Sequence, residues 1–218
     1  DLQLLRYKVP GFDELSLQQK KLVYYLSEAA LHGRDILFDQ NGKYNLTIRK
    51  MLETVYTDYS GNRSDADFVN LEIYLKRVWF SNGIHHHYAA DKFVPGFSSG
   101  FFRKALQSVD VNKLPLSEGQ TLDELCDEVF PIIFNPEVMS KRVNQSDGED
   151  LVLTSASNYY RGVTQAEAEE FYNRMKNPND SMPVMFGMNS RLVKENGVVL
   201  EKVWKSGGLY GQAIDKIV

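Results

Sequence analysis

Arg191-Leu192-Val193-Lys194-Glu195-Asn196-Gly197-Val198-Val199-Leu200-Glu201-Lys202-Val203-Trp204 is the stretch that decides the fold class. Asn196-Gly197 supplies two residues that tolerate positive φ, as a two-residue hairpin turn requires, and apolar, largely β-branched residues flank it on both sides. The reading is a β-hairpin. Met182, Pro183 and Gly187 precede it without helical spacing, so a β segment begins near residue 180.

Upstream of that point the apolar period is helical. Ser16-Leu17-Gln18-Gln19 forms a capping box, in which the hydroxyl and the glutamine side chain satisfy backbone donors at a helix start. Leu22, Tyr25, Leu26, Ala29 and Ala30 then follow at helical spacing, and Gly33 is the expected stop. A second helix is expected over Ile48 to Tyr59, with Met51, Leu52 and Val55 on one face. The clearest takes Ser64 as its cap, places Phe68, Leu71, Leu75, Val78 and Trp79 on one side, and ends at Asn82-Gly83. Thr121-Leu122-Asp123-Glu124 and Thr164-Gln165-Ala166-Glu167 open two more. The first of these is expected to end or kink at Pro131, and the second to close at Asn177-Pro178. Ile214, Ile217 and Val218 share one face of a helix that has scarcely begun where the sequence stops, the pattern of a chain cut within a longer protein.

The chain is therefore of the α+β class: a mainly helical amino-terminal part followed by a small β-barrel or sheet. Its composition, 43% hydrophobic and 25% charged, is that of an ordinary folded protein rather than a disordered one. The net charge of −4 is spread with both signs interspersed, which leaves no basic face for nucleic acid or an anionic membrane. No apolar run approaches the roughly 20 residues that span a bilayer, so the expectation is a soluble protein, cytoplasmic or periplasmic. The lone cysteine, Cys126, lies on the apolar stripe Leu122, Leu125, Cys126, Val129 and reads as core.

Four groups of residues could carry chemistry. His85-His86-His87 is the most conspicuous, but consecutive side chains point in different directions and at most two could ligate one ion. These histidines are expected to be structural, bonded around a helix-to-loop junction. No His-Glu dipeptide occurs, which removes a metallopeptidase helix, and no serine stands in a Gly-x-Ser-x-Gly turn. Gly207-Gly208 with Gly211 lacks both the phosphate-loop lysine and the dinucleotide fingerprint, so it reads as a loop-to-helix hinge. Asp147-Gly148-Glu149-Asp150 lacks a full calcium loop and reads as a solvated turn, and Tyr159-Tyr160-Arg161 as packing. This chain is thus expected to hold no metal.

Several stretches together resemble the amino-terminal half of the dipeptidyl peptidase III family in its Bacteroides-like bacterial form. They are Leu4 to Phe12, Gly33 to Asn45, Val78 to Tyr88, Lys141 to Asn144, Phe186 to Ser190 and Lys205 to Gly211, in that order along the chain. What the resemblance implies is a zinc exopeptidase that releases dipeptides from the amino terminus of short peptides. Family members have a helical lobe carrying the zinc motif and an opposite lobe that mixes helices with a small β-barrel. This chain would be the substrate-side lobe alone, residues 1–150 forming its helical part and residues 151–218 a helix plus β segment. Zinc belongs to the intact protein; the partners implied are short peptides and the missing catalytic lobe. The resemblance also implies that polar side chains and strand edges hold the peptide, with Asn189, Ser190, Arg191 and Tyr210 as the substrate-binding candidates. The alternative for the site makes Asn189-Ser190 a turn and Tyr210 core. The alternative for the whole is a non-catalytic helical peptide-binding or scaffolding domain.

Overall fold

The computed structural model describes residues 5–218; Leu4, at the head of the first resembling stretch, lies outside the described residues. Among the described residues eight α-helices, two single-turn 3-10 helices and one three-stranded sheet make an α+β fold in which the sheet stays open and does not close into a barrel. Among the described residues no helix is long and apolar enough to cross a membrane.

The helices are α1 (Leu17–Asn41), α2 (Asn45–Asp58), α3 (Ala66–Ser81), α4 (Ser99–Gln107), α5 (Leu122–Phe134), α6 (Leu151–Thr154), α7 (Gln165–Asn173) and α8 (Gly211–Ile217). The capping boxes at Ser16, Thr121 and Thr164 are all formed, each hydroxyl accepting from the N–H three residues on. Asn82 ends α3 in the left-handed conformation, φ 52°, as its place before Gly83 leads one to expect.

Several boundaries differ from expectation: α2 begins at Asn45, a turn before Ile48, and α7 ends at Asn173, short of Asn177-Pro178, while three more differ with a visible reason. Gly33 does not stop α1, which runs eight residues further to Asn41. A side chain at Gly33 would face Ile217 of α8 at ordinary contact distance, so the glycine sits where a second helix lies alongside. Pro131 neither ends nor breaks α5, which continues to Phe134. The proline is exposed, so the Asp127 carbonyl it leaves without an amide partner belongs to a solvent-facing residue. Asp65, not Ser64, caps α3, accepting from Asp67 N–H at 2.9 Å, while Asn62 takes the Ser64 N–H instead.

One core joins α1 to α5. Phe38 from the end of α1, Met51 of α2, Leu71 and Val78 of α3, Phe102 of α4 and Ile133 of α5 are all essentially inaccessible. Cys126 lies inside it, where burial pushes the thiol pKa up. The outer half of α1 is a contrast: Leu22, Val23, Tyr24, Tyr25 and Leu26 are each between 41% and 67% exposed.

The sheet has a smaller core of its own, Val163, Ala168 and Leu192, covered by α7. β2 (Ser190–Glu195) pairs antiparallel with β3 (Val198–Val203), closing at Glu195 opposite Val198. Asn196 and Gly197 both have positive φ, 50° and 80°, which is the mirror-image turn that the sequence demanded. β1 (Tyr160–Arg161) adds to β2 in parallel, giving the order β1-β2-β3.

Candidate functional site

The site forms where the end of α1, the hairpin and the start of α8 meet. Asp39 anchors it from the last turn of α1. Its carboxylate pairs with the Arg191 guanidinium, accepts the Tyr210 hydroxyl at 2.5 Å and accepts Asn158 Nδ2 at 3.1 Å. Arg191 also donates to Asn158 O at 2.6 Å and to the Tyr210 oxygen at 2.9 Å. The adjoining pair repeats the logic, with Tyr159 donating to Gln40 at 3.3 Å and Arg161 to the Asn158 side-chain oxygen at 2.8 Å.

Burial sets the electrostatics. Arg191 keeps only 6% of its side-chain surface and Asp39 17%, so each charge depends on the other for what water would supply. Burial also pushes the Tyr210 phenol well above its ordinary range, and donating to Asp39 raises it further. Arg161 moves down, first from burial and then from the neighbouring Arg191 charge. Tyr210 carries backbone strain as well, with φ 61° and ψ 16° at the residue before α8. A bulky residue is rarely held in this left-handed region, and its two hydroxyl bonds are what fix it there.

The four sequence candidates have different fates here. Ser190 and Arg191 are buried, at 1% and 5% exposure, and face inward. Ser190 donates to Glu201 at 2.6 Å, a carboxylate that Tyr172 also reaches at 3.4 Å. Ser190 therefore ties the two hairpin strands to each other, and Arg191 ties the hairpin to its surroundings. Asn189 is exposed at the entry to β2, with its carbonyl accepting Trp204 N–H at 2.9 Å. Tyr210 is half-buried and lines a groove of about 740 Å³ between α1 and α8. Leu31, His32, Arg34, Asp35 and Lys216 also face that groove, a mixed lining with more cationic than anionic groups. Asn189 and Tyr210 are thus the two candidates that a ligand could touch.

Asp39 and Asn158 were not found from the sequence. Asp39 lies 119 residues from Asn158 and 152 from Arg191, and no local spacing announces such a contact.

The hairpin's register adds a second feature. The Trp204-to-Asn189 bond places 189 and 204 in a bonded pair, and bonded pairs alternate along an antiparallel ladder. Residues 198, 200 and 202 consequently bond to β2, while Val199, Glu201 and Val203 direct their N–H and C=O groups away from it. In the sheet of described residues no strand lies on that side. β3 is a free edge.

The histidine triplet lies elsewhere, after α3. His85 Nε2 is 2.7 Å from Met139 O, a carbonyl that can only accept, so this nitrogen carries the proton. His86 Nδ1 accepts from the N–H groups of Tyr88 and Ala89, and its ring stacks on His87 at 4.5 Å. One ring nitrogen each of His85 and His86 is thus committed to backbone, while His85 Nδ1 and His87 Nδ1 are buried without a hydrogen-bond partner. Among the described residues no three His, Cys, Asp or Glu side chains gather as a metal site would need.

No family model matches the chain, and no curated protein matches it.

Proposed function

We propose that this chain is the substrate-binding lobe of a zinc metallo-exopeptidase that releases dipeptides from the amino terminus of short peptides. The open stretch of the β3 edge, from Val199 to the Val203 N–H, carries the reading. An extended peptide laid against Val199, Glu201 and Val203 gains main-chain hydrogen bonds from any sequence, which is what an exopeptidase of broad preference requires. Asn189 at the hairpin entry and Tyr210 in the α1–α8 groove offer polar contacts close by, while the Asp39–Arg191 pair fixes the strand that carries them. Zinc and the groups that act on the peptide bond would lie in a catalytic lobe outside this chain.

The second reading, a non-catalytic helical peptide-binding domain, uses the same edge and the same helical body. One experiment separates the two. The complete reading frame containing this chain is expressed and incubated with a tetrapeptide bearing a free amino terminus, and the products are identified by mass spectrometry. The exopeptidase reading expects dipeptide release that a chelator stops; peptide binding without release favours the binding domain. Val203→Pro, which removes one outward N–H from the edge while leaving the bonded pairs of the hairpin in place, is expected to weaken peptide binding at least about tenfold. Unchanged binding in a folded Val203→Pro variant would rule out the β3 edge under either reading.

A further inference from the structure

Three Asn-Gly dipeptides occur in the chain, at 41–42, 82–83 and 196–197, and the structure treats them very differently. In water such a pair is prone to one reaction. The glycine nitrogen attacks the asparagine Cγ, a bond forms between them, the Cγ–Nδ2 bond breaks, and ammonia leaves with the proton from the glycine N–H. The resulting five-membered imide is opened by water at either carbonyl, giving aspartate or isoaspartate. Glycine permits it because no side chain obstructs the attacking nitrogen.

At two of the three sites the fold withholds the reactants. Asn41 donates to the carbonyls of Ser81 and Asn82 at 3.4 and 3.1 Å and accepts from Arg142, and Gly42 is buried. Gly83 is buried too, its N–H bonded to Val78 O at 3.0 Å, and its Cα packs so tightly on the Asn45 side chain that an added Cβ would lie 2.3 Å from it. Asn196-Gly197 has none of these restraints. Both residues are exposed at the hairpin tip, the Asn196 side chain makes no hydrogen bond, and nothing lies within 4 Å of a Cβ built at Gly197.

We propose that Asn196 is a site of spontaneous modification in the folded protein, converting selectively to aspartate and isoaspartate while Asn41 and Asn82 are protected. The conversion places a new carboxylate beside Glu195, and isoaspartate adds a methylene to the main chain at the tightest point of the turn. The mirror-image turn cannot accommodate that extra atom without shifting the Glu195–Val198 closure, so the product loosens the hairpin from its tip.

The test is to age the folded chain at mildly alkaline pH and physiological temperature, digest it, and quantify amide-to-acid conversion at each dipeptide by mass spectrometry. Isoaspartate is resolved by its methylation with an isoaspartyl methyltransferase. A chain held in denaturant serves as the control. Conversion at Asn196 is expected to run at least about tenfold faster than at the other two in the folded chain, because those must wait for local opening, and to become comparable at all three in denaturant. Equal rates in the folded chain would overturn the proposal, as would an unconverted Asn196 after the denatured control has reacted.

Discussion

His85 shows how one residue ties the fold to pH. It is 2% exposed, and burial, the largest influence, brings its pKa down from the ordinary 6.5 to about 4; the Lys92 and Arg142 charges push the same way. Between those values the unfolded chain binds a proton that the folded chain refuses. Stability is therefore fully present above the unfolded pKa and lost as pH falls from about 6.5 toward 4, by ~2 to 4 kcal/mol for this one group. Denaturant midpoints measured across that range should fall for the native protein. They should fall less for His85→Gln, whose amide can still donate to Met139 O. An identical slope in the variant would show that other groups set the acid limit. The triplet's position at a helix-to-loop junction was legible in the sequence, because Asn82-Gly83 marks the end of α3. Its partner was not, since Met139 is 54 residues away.

At the scale of elements, α5 shows what local signals reveal and omit. Its start was legible in the capping box at Thr121, but Pro131 pointed to an end that the exposed face of the helix does not impose. Asn135-Pro136 ends α5 locally, the proline forcing Asn135 into the extended region, and a remote group holds that end: the Lys92 ammonium reaches the carbonyls of Ile132 at 2.9 Å, Asn135 at 2.5 Å and Val138, using all three of its protons. A cation at that end also meets the negative pole of the helix. Lys92→Met keeps the length of the side chain and removes these donors, and it should lower stability by about 1 to 3 kcal/mol in urea titration. A loss below the error of that titration would mean that water replaces the ammonium. α4 had no place in the sequence reading, although Phe102, Ala105 and Leu106 have helical spacing and Ser98 caps it. The helix is only nine residues long and has Gly100 in its first turn, so its pattern is too short to stand out.

Across the whole molecule, Asp39 and Arg191 connect the helical body to the sheet. The two cores, one centred on α2 to α5 and one under α7, share no buried residue, and this ion pair with its Tyr210 and Asn158 bonds bridges them. Removing one partner strands a charge in a desolvated place, so Asp39→Ala should cost about 3 to 5 kcal/mol, and adding Arg191→Met should recover part of it. Trp204 fluorescence in a Trp79→Phe background reports the sheet, and circular dichroism reports the helices. In Asp39→Ala the two transitions should separate, the sheet melting first. Coincident transitions would mean that apolar contact alone couples the halves. The longer helices and the hairpin could be read from periodicity, though α4, α6 and β1 could not, and neither could this bridge, because it depends on how distant segments meet. The first turns of α1 stand outside both cores, and that has its own consequence. A helix that buries so little there is held chiefly by its own backbone bonds, and a helix of that length in water is marginal by itself. In a limited digestion the chain between Leu17 and Ala29 should therefore be nicked while the remainder is still intact, leaving a trimmed particle with its sheet and main core undisturbed.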